Sequence, residues 1–407
     1  MNLTTHIARR YFFSRKSRNA VNIISAVSML GIMVGTAALI IVLSAFNGLE
    51  SLVKGFYETF DPDLKASLVE GKYFDASSAI TNSVKSVDGV EDVSVVLEDR
   101  VLLTFMDKEY IATLKGVDDH YTEVSEVKDA VVAGAYNLKE EQEVPTTLLG
   151  AGVAYFLGYS RVDFESPISA FVPREKTGLD FSTAFATDLL YPAGVFSIQP
   201  DFDEKYAITS ITFARDLIGR AEAATSLEFK LKEGANAFRV KSAISEKLGS
   251  RFKVQDRDEQ QEVFFKVMKS ENLFTFIVFA LILAISTFTI MGSLTMLMLD
   301  KKDNLFTLWA MGASLETLRH IFFKEGLMIS LVGAFTGLFL GTLIIVLQEH
   351  FGILSLGPGY VIDSYPVRLK WTDIVLVSVT VFSLSSIASW LTSRRLSYEL
   401  FGAVQTV

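Results

Sequence analysis

Four long runs of this chain contain no Asp, Glu, Lys or Arg: residues 19–49, 272–299, 326–348 and 374–393. A continuous apolar helix of about 20 residues spans the hydrocarbon core of a bilayer, so the pattern predicts four transmembrane helices. A buried core helix can imitate one such run, above all the shorter last one, but four in one soluble domain would leave no ordinary surface. Everything else in the sequence has to be placed relative to a membrane.

Half of the 407 residues are hydrophobic, too many for a soluble domain, yet the chain is too charged to be all membrane. The charge is concentrated between the first two runs, where residues 48–271 carry 25 Lys plus Arg against 39 Asp plus Glu. That segment is long enough to build its own core, as two subdomains. Ahead of the first run stand Arg9, Arg10, Arg15, Lys16 and Arg18 with no acidic residue. By the positive-inside rule the N-terminus is cytoplasmic, and Lys301, Lys302, Arg394 and Arg395 then fall on the same side. The large acidic domain is expected outside the cytoplasm. With no cysteine, that domain must rest on its hydrophobic core rather than on disulfides. The first run is about twice the length of a signal-peptide apolar region and reads as a retained anchor.

Residues 1–18 place Leu3, Ile7 and Tyr11 on one stripe among the basic residues, predicting an amphipathic helix lying in the headgroup layer. The first transmembrane helix, 19–49, is expected to continue as a stalk to residue 60, where Asp61-Pro62 stops it. The exported domain, 61–265, shows helical patterns at 79–87, 147–157, 213–220 and 235–248. Strand-like runs lie at 93–97, 100–106, 110–117, 168–172, 193–198, 207–212 and 226–230. Residues 173–192 break this regularity, with a protruding loop or hairpin expected at 174–191. An amphipathic stretch, 260–269, leads into the second span, 272–299. The third, 326–348, is followed by a short loop, 349–373, the fourth span, 374–393, and a tail, 394–407. Gly31 and Gly35 share a helix face, and Gly333, Gly337 and Gly341 form a longer small-residue ridge; both predict close helix packing.

The connection 300–325 predicts a short helix with Leu305, Leu308, Trp309 and Met311 apolar, closed by Gly312, and a second helix capped by Ser314. Here the sequence resembles a family. Residues 303–314, ending Met311-Gly312-Ala313-Ser314, resemble the cytoplasmic coupling loop of FtsX/MacB-type (type VII) ABC transporter permeases, in particular the lipoprotein-releasing LolC/LolE group. The runs 7–11, 28–32, 42–48 and 365–371 resemble the same group's N-terminal helix, first span and lead into the fourth.

The resemblance implies an α-helical membrane protein with a mixed α/β, MacB-like periplasmic core domain inserted between helices 1 and 2. It also implies docking of an ABC ATPase dimer through Asn304, Leu305, Leu308, Trp309, Met311 and Gly312. The family pattern has an acidic residue and an Arg where this chain has Asn304 and Trp309. By position, the 174–191 excursion matches a hook that binds a periplasmic lipoprotein carrier, with Arg174, Lys176, Phe181 and Phe185 as its contact residues. A cavity for the acylated lipoprotein is expected along Met33, Ile40, Leu43 and Phe46 of the first span and Phe276 and Phe279 of the second.

No phosphate-binding G-x-x-x-x-G-K-[ST] occurs, so ATP and Mg are expected only through the partner ATPase, with no cofactor on this chain. His6, His120, His320 and His350 are scattered without metal-ligand spacing, so neither a metal nor a catalytic site is expected. The resulting expectation is a non-enzymatic, multi-pass permease subunit in a bacterial inner membrane that extracts lipoproteins and passes them to the carrier for outer-membrane sorting. A second permease subunit (paralogue or identical copy) and membrane lipid are further partners; nucleic acid is not. A MacB-like efflux permease, an FtsX-like cell-division permease and a membrane-anchored sensor remain alternatives.

Overall fold

A computed structural model describes residues 7, 19–138, 144–159, 166–173, 185–356 and 364–396. Apart from Ile7, the segment 1–18 expected to form an amphipathic helix lies outside them. The chain divides into two compact units, Val53–Phe265 and Met1–Leu52 with Lys266–Val407. One helix, α1 (Asn19–Phe60), covers the first apolar run and its predicted continuation without a break.

The unit Val53–Phe265 is a mixed α/β domain. Its strands are β1 (Leu64–Leu68), β2 (Phe74–Asp75), β3 (Val90–Phe105), β4 (Lys108–Val117), β5 (Val131–Gly134), β6 (Thr146–Gly150), β7 (Ile168–Pro173), β8 (Phe185–Phe196), β9 (Tyr206–Ser210), β10 (Ala223–Ala224), β11 (Ser226–Leu231) and β12 (Phe252–Asp256). Helices α2 (Ser78–Lys85), α3 (Ala151–Leu157), α4 (Ile211–Ile218) and α5 (Ala237–Leu248) pack among them. Local signals set their limits: the Ser210 and Asn236 side chains accept from the third backbone N–H of α4 and α5.

Among the described residues the main sheet runs β12-β1-β11-β3-β4-β9-β6-β8-β5, with β7 joined to both β3 and β8. The pairings β3-β4-β9-β6-β8-β7-β3 return to their start, so six strands close on themselves. Parallel pairing occurs at β4–β9 and β6–β8. A large core gathers around Leu97, Leu103, Leu114, Leu149, Phe213 and Phe229. A second core gathers around Phe196, Phe202 and Tyr206 and takes in Tyr57 and Phe60 from the end of α1 and Phe265.

Three sequence expectations change. The runs 93–97 and 100–106 are one strand, because the charged Glu98-Asp99-Arg100 between them does not form a turn; the Glu98 carboxylate is ion-paired to Lys65 at 3.2 Å. The predicted helix 147–157 is strand as far as Gly150 and helix only from Ala151. A short, wholly apolar run carries no periodicity to separate the two states, and pairing with β8 and β9 decides it. Finally, the domain begins at Val53, earlier than the predicted residue 61, because the last turns of α1 supply core side chains.

The other unit is helical. It contains α6 (Glu262–Asp300), α7 (Lys302–Ala310), α8 (Leu315–Phe351) and α9 (Trp371–Arg394), and α1, α6, α8 and α9 are long and apolar enough to cross a membrane. The glycine ridge of α8 lies against α1. A Cβ on Gly333 would stand 2.8 Å from the Met29 carbonyl oxygen, and one on Gly337 would stand 2.9 Å from Thr36 Cβ. A Cβ on Gly341 would press on Ile40 and lie 3.2 Å from the Ala37 oxygen. The Gly31/Gly35 face meets α6 instead, with Leu283 2.8 Å from a Gly35 Cβ and Ser286 at 3.8 Å from Gly31. The Ser25 and Ser293 hydroxyls share a 2.8 Å hydrogen bond between the same two helices. Small residues let these backbones approach within dispersion range, which substitutes for a hydrophobic drive that lipid does not supply.

Candidate functional site

The segment expected to couple to an ATPase is built from the break between α6 and α8. Gly312 has φ +95°, a conformation that an L side chain resists, and it sits directly after Met311, the C-cap of α7. The Gly312 N–H donates to the Trp309 carbonyl at 2.9 Å and the Ala313 N–H to the Leu308 carbonyl at 3.0 Å. These two bonds are the Schellman motif, and the Leu308–Ala313 apolar pair that accompanies it packs on the adjacent cluster. Ser314 then caps α8 by accepting from the Thr317 N–H at 3.2 Å. The chain therefore turns sharply with its orphan backbone groups satisfied.

The six residues assigned to ATPase docking separate into two sets. Leu305 is fully buried among Leu297, Met298, Leu318, Ile321, Phe322 and Leu396, so it anchors α7 to this chain and presents nothing to a partner. Leu308 is half-buried against the same cluster. Asn304, Trp309, Met311 and Gly312 are exposed, Met311 by 70 %. Trp309 stands 5.9 Å from the Phe306 ring. Trp309 and Met311 thus leave apolar surface outward at the end of a short helix, a surface suited to inserting into a complementary groove.

The residues expected to line a cavity are also divided. Ile40 and Leu43 are buried in the α1/α6/α8/α9 core with Leu39, Leu283, Ile290 and Ile345, because Ile40 closes on Gly341; neither faces a cavity. Met33 and Phe46 are half-buried, and Phe276 and Phe279 pack partly on that core. The apolar side chains left open are others: Val27, Leu30 and Val34 on α1, and Phe274, Ile277, Leu281, Ile285 and Phe288 on α6, all more than half exposed. Of the hook residues, Arg174, Lys176 and Phe181 lie outside the described residues. Phe185 is described; it opens β8, is half exposed and pairs with Pro173 of β7. The described part of the excursion, from residue 185 on, is strand and pairs antiparallel with β7, in keeping with the hairpin alternative of the sequence reading.

At the opposite end of the helical unit, the lead into α9 is tied to α1. The Arg368 N–H donates to the Ser44 carbonyl at 2.9 Å, Arg368 Nη1 donates to Ser51 Oγ at 2.7 Å, and Lys370 pairs with Glu50 at 2.9 Å. Asn47 donates to the Asp373 carboxylate, and Gly48 lies where any Cβ would strike the Pro366 backbone.

Residues 25–247 match the family model of the MacB-like periplasmic core domain, and residues 276–399 match that of the FtsX-like permease C-terminal region. The chain belongs to the MacB/FtsX-like permease family. The permease is 24% identical to the lipoprotein-releasing system transmembrane protein LolC of Neisseria meningitidis serogroup B, over 97% of both chains. It is 22% identical to LolE of Haemophilus influenzae, over 96% of the permease and 95% of the relative. Among solved structures it is similar to the periplasmic region of MacB from Actinobacillus actinomycetemcomitans. The identity is 12% and the TM-score 0.37, covering 53% of the permease and 97% of that chain.

Sequence reading missed two features of the permease. In the periplasmic-type domain, buried Lys115 of β4 lies 3.0 and 3.1 Å from the two carboxylate oxygens of buried Glu228 on β11. Lys65 joins Glu98 and Glu228, while Phe60 and Tyr121 present their rings to the Lys115 ammonium at 4.5 and 4.9 Å. Burial alone would depress the Lys115 pKa, but Glu228 and then Glu98 outweigh it and raise it. Burial likewise works against the Glu98 carboxylate, yet Lys65 and Lys115 hold its pKa down to about 2. Asp61, where α1 ends, has its pKa raised by burial although Gln261 donates to it at 2.9 Å. Only alternation of charges along four separated strands could have signalled this network. The second feature is Glu325 of α8, which sequence placed in the connecting region. It is buried at 2% exposure with Oε2 unpartnered among the described residues.

Proposed function

We propose that this chain is the permease subunit of an ATP-driven ABC complex that extracts lipoproteins from a bacterial inner membrane and passes them to a periplasmic carrier. The observation that carries this reading is similarity over nearly the whole chain to proteins named as lipoprotein-releasing LolC and LolE, combined with a coupling helix whose outward edge is apolar. Both termini lie in the cytoplasm, by the basic residues that flank the spans. An ATPase dimer binding ATP and Mg docks on Trp309, Met311 and Asn304, and its closure moves α7. Because Leu305 joins α7 to α6 and α8, the displacement passes into the spans rather than into a loose loop. Two of these spans, α1 and α6, run on in the chain to either end of the exported domain. Removing an acyl chain from lipid costs about 0.8 kcal/mol per CH₂, so a protein carrying several chains needs an external energy source. The exposed apolar faces of α1 and α6 offer those chains a surface, either alone or against a second permease subunit. The hairpin β7–β8, with the residues joining it, supplies the carrier contact.

Affinity purification of the full chain in mild detergent tests this reading. An ATPase, a second permease and acylated protein are expected to accompany it. Trp309→Asp should release the ATPase, and deletion of residues 174–191 should abolish carrier binding and lipoprotein release. A companion set without an ATPase would point to a sensor, and release unchanged by the deletion would remove the hook from the mechanism.

A further inference from the structure

A cavity of about 400 Å³ opens between the first turns of α8 and the last turn of α9, lined by Glu316, Arg319, His320, Trp390, Ser393 and Arg394. That volume is within the range of small-ligand sites, about 300–1,000 Å³. Its charge is uneven. Two guanidinium groups and an imidazole face one carboxylate, and among the described residues neither Arg319 nor Arg394 is paired with an acid. Arg319 is held in place, because its Nε and Nη2 donate to the Leu396 carbonyl at 3.1 and 2.8 Å; among the described residues Nη1 is left for another acceptor. The Arg394 guanidinium lies 4.2 Å from the centroid of the Trp390 ring, an arrangement that fixes the group while its N–H edge remains available. His320 Nδ1 bonds the Glu316 carbonyl at 2.8 Å, which leaves Nε2 as its second contact point.

Beside these polar groups the wall is apolar and open. Ile387 and Leu391 of α9 are 56% and 45% exposed, and Trp390 is 46% exposed. A tryptophan and arginines at the end of an apolar helix mark the level of the headgroups, and basic pockets between helix ends suit lipid phosphates. We propose that this cavity binds the phosphate of an anionic phospholipid. Arg394 and Arg319 donate to the phosphate oxygens, Glu316 accepts from a headgroup hydroxyl, and an acyl chain follows Ile387 and Leu391. The site needs only the spans and their ends, so it stands apart from the lipoprotein reading.

The test uses the full chain in nanodiscs of phosphatidylcholine, with or without phosphatidylglycerol, and counts retained lipid by native mass spectrometry. Phosphatidylglycerol should be retained over phosphatidylcholine. Arg394→Gln, which breaks no hydrogen bond of that side chain among the described residues, should lower retention by about fivefold, from the worth of one basic side chain at an anionic surface. Arg394→Lys, with charge but no fork, should fall between. Equal retention by the wild type and Arg394→Gln would overturn the proposal. So would equal competition by soluble glycerol phosphate, which would make this a free-phosphate site. Loss of the ATPase with lipid retention unchanged would assign the arginines to an acidic protein partner and equally overturn it. None of these readouts depends on lipoprotein release.

Discussion

Gly337 and Gly292 stand in the same kind of environment by sequence, each inside an apolar span, yet their structural surroundings are opposite. A Cβ at Gly337 meets the Met33 carbonyl and Thr36, whereas nothing lies within 4 Å of one at Gly292. Gly337→Ala is therefore expected to cost about 1–3 kcal/mol through overpacking, and Gly292→Ala to be neutral or stabilising by up to about 1 kcal/mol. Thermal unfolding in detergent distinguishes them, and equal melting of the two would mean that α8 does not pack on α1 through the ridge. In the α/β domain, Glu98 gives a pH dependence of definite sign. Its pKa is lowered on folding to about 2, so its contribution is fully present above the ordinary glutamate range and is lost as pH falls from about 4.5 toward 2. Asp61 acts in the opposite sense: its raised pKa makes protonation favour the folded state, which offsets part of that loss. Hydrogen exchange of β3 and β4 amides across acid pH should show a stability decline that Glu98→Gln flattens. An identical acid limb in both proteins would contradict the network.

At the scale of the element, α7 combines an anchored face and a presented edge, and the two are separable. Leu305→Ala removes a fully buried side chain and should destabilise the helical unit by about 2–5 kcal/mol, measured by thermal melting. Trp309→Asp changes a position only 38% exposed and should lower melting less than Leu305→Ala while releasing the ATPase. If both substitutions lower stability alike, α7 has no presented edge. Sequence spacing showed the helix, its glycine stop and the Ser314 cap, since these are local backbone requirements. Which of Leu305, Leu308, Trp309 and Met311 faced inward was not legible, because the hydrophobic stripe of a nine-residue helix is broad and α6, α8 and Leu396 are brought to it only by folding.

For the whole molecule, the division at Val53 and Phe265 predicts how the exported domain behaves alone. A soluble fragment of residues 53–265 retains Tyr57, whose ring lies 5.6 Å from that of Phe202, and Phe60, whose ring lies 4.3 Å from Phe202 and 4.7 Å from Tyr206. A fragment of residues 61–265 lacks both and leaves the Lys115 ammonium without its Phe60 contact. The shorter fragment should be less stable by several kcal/mol, in line with the loss of two buried aromatics, about 3–5 kcal/mol for each. Equal urea midpoints would place the boundary back at residue 61.

The amino-acid sequence determined the four long apolar helices, the acidic balance of residues 48–271, the turn at Gly312 and the small-residue ridges. Each of these is written in a local property: the length of an uncharged run, a net charge, a glycine that permits positive φ, or a face repeating every four residues. Tertiary structure alone decided that Ile40 and Leu43 are core, that Glu98-Asp99-Arg100 runs through a strand, and that Lys115 meets Glu228. Such outcomes depend on partners well outside the local segment, and the Lys115–Glu228 bond itself joins positions 113 apart. A buried charge or an apolar side chain has no fixed role until the fold supplies its neighbour.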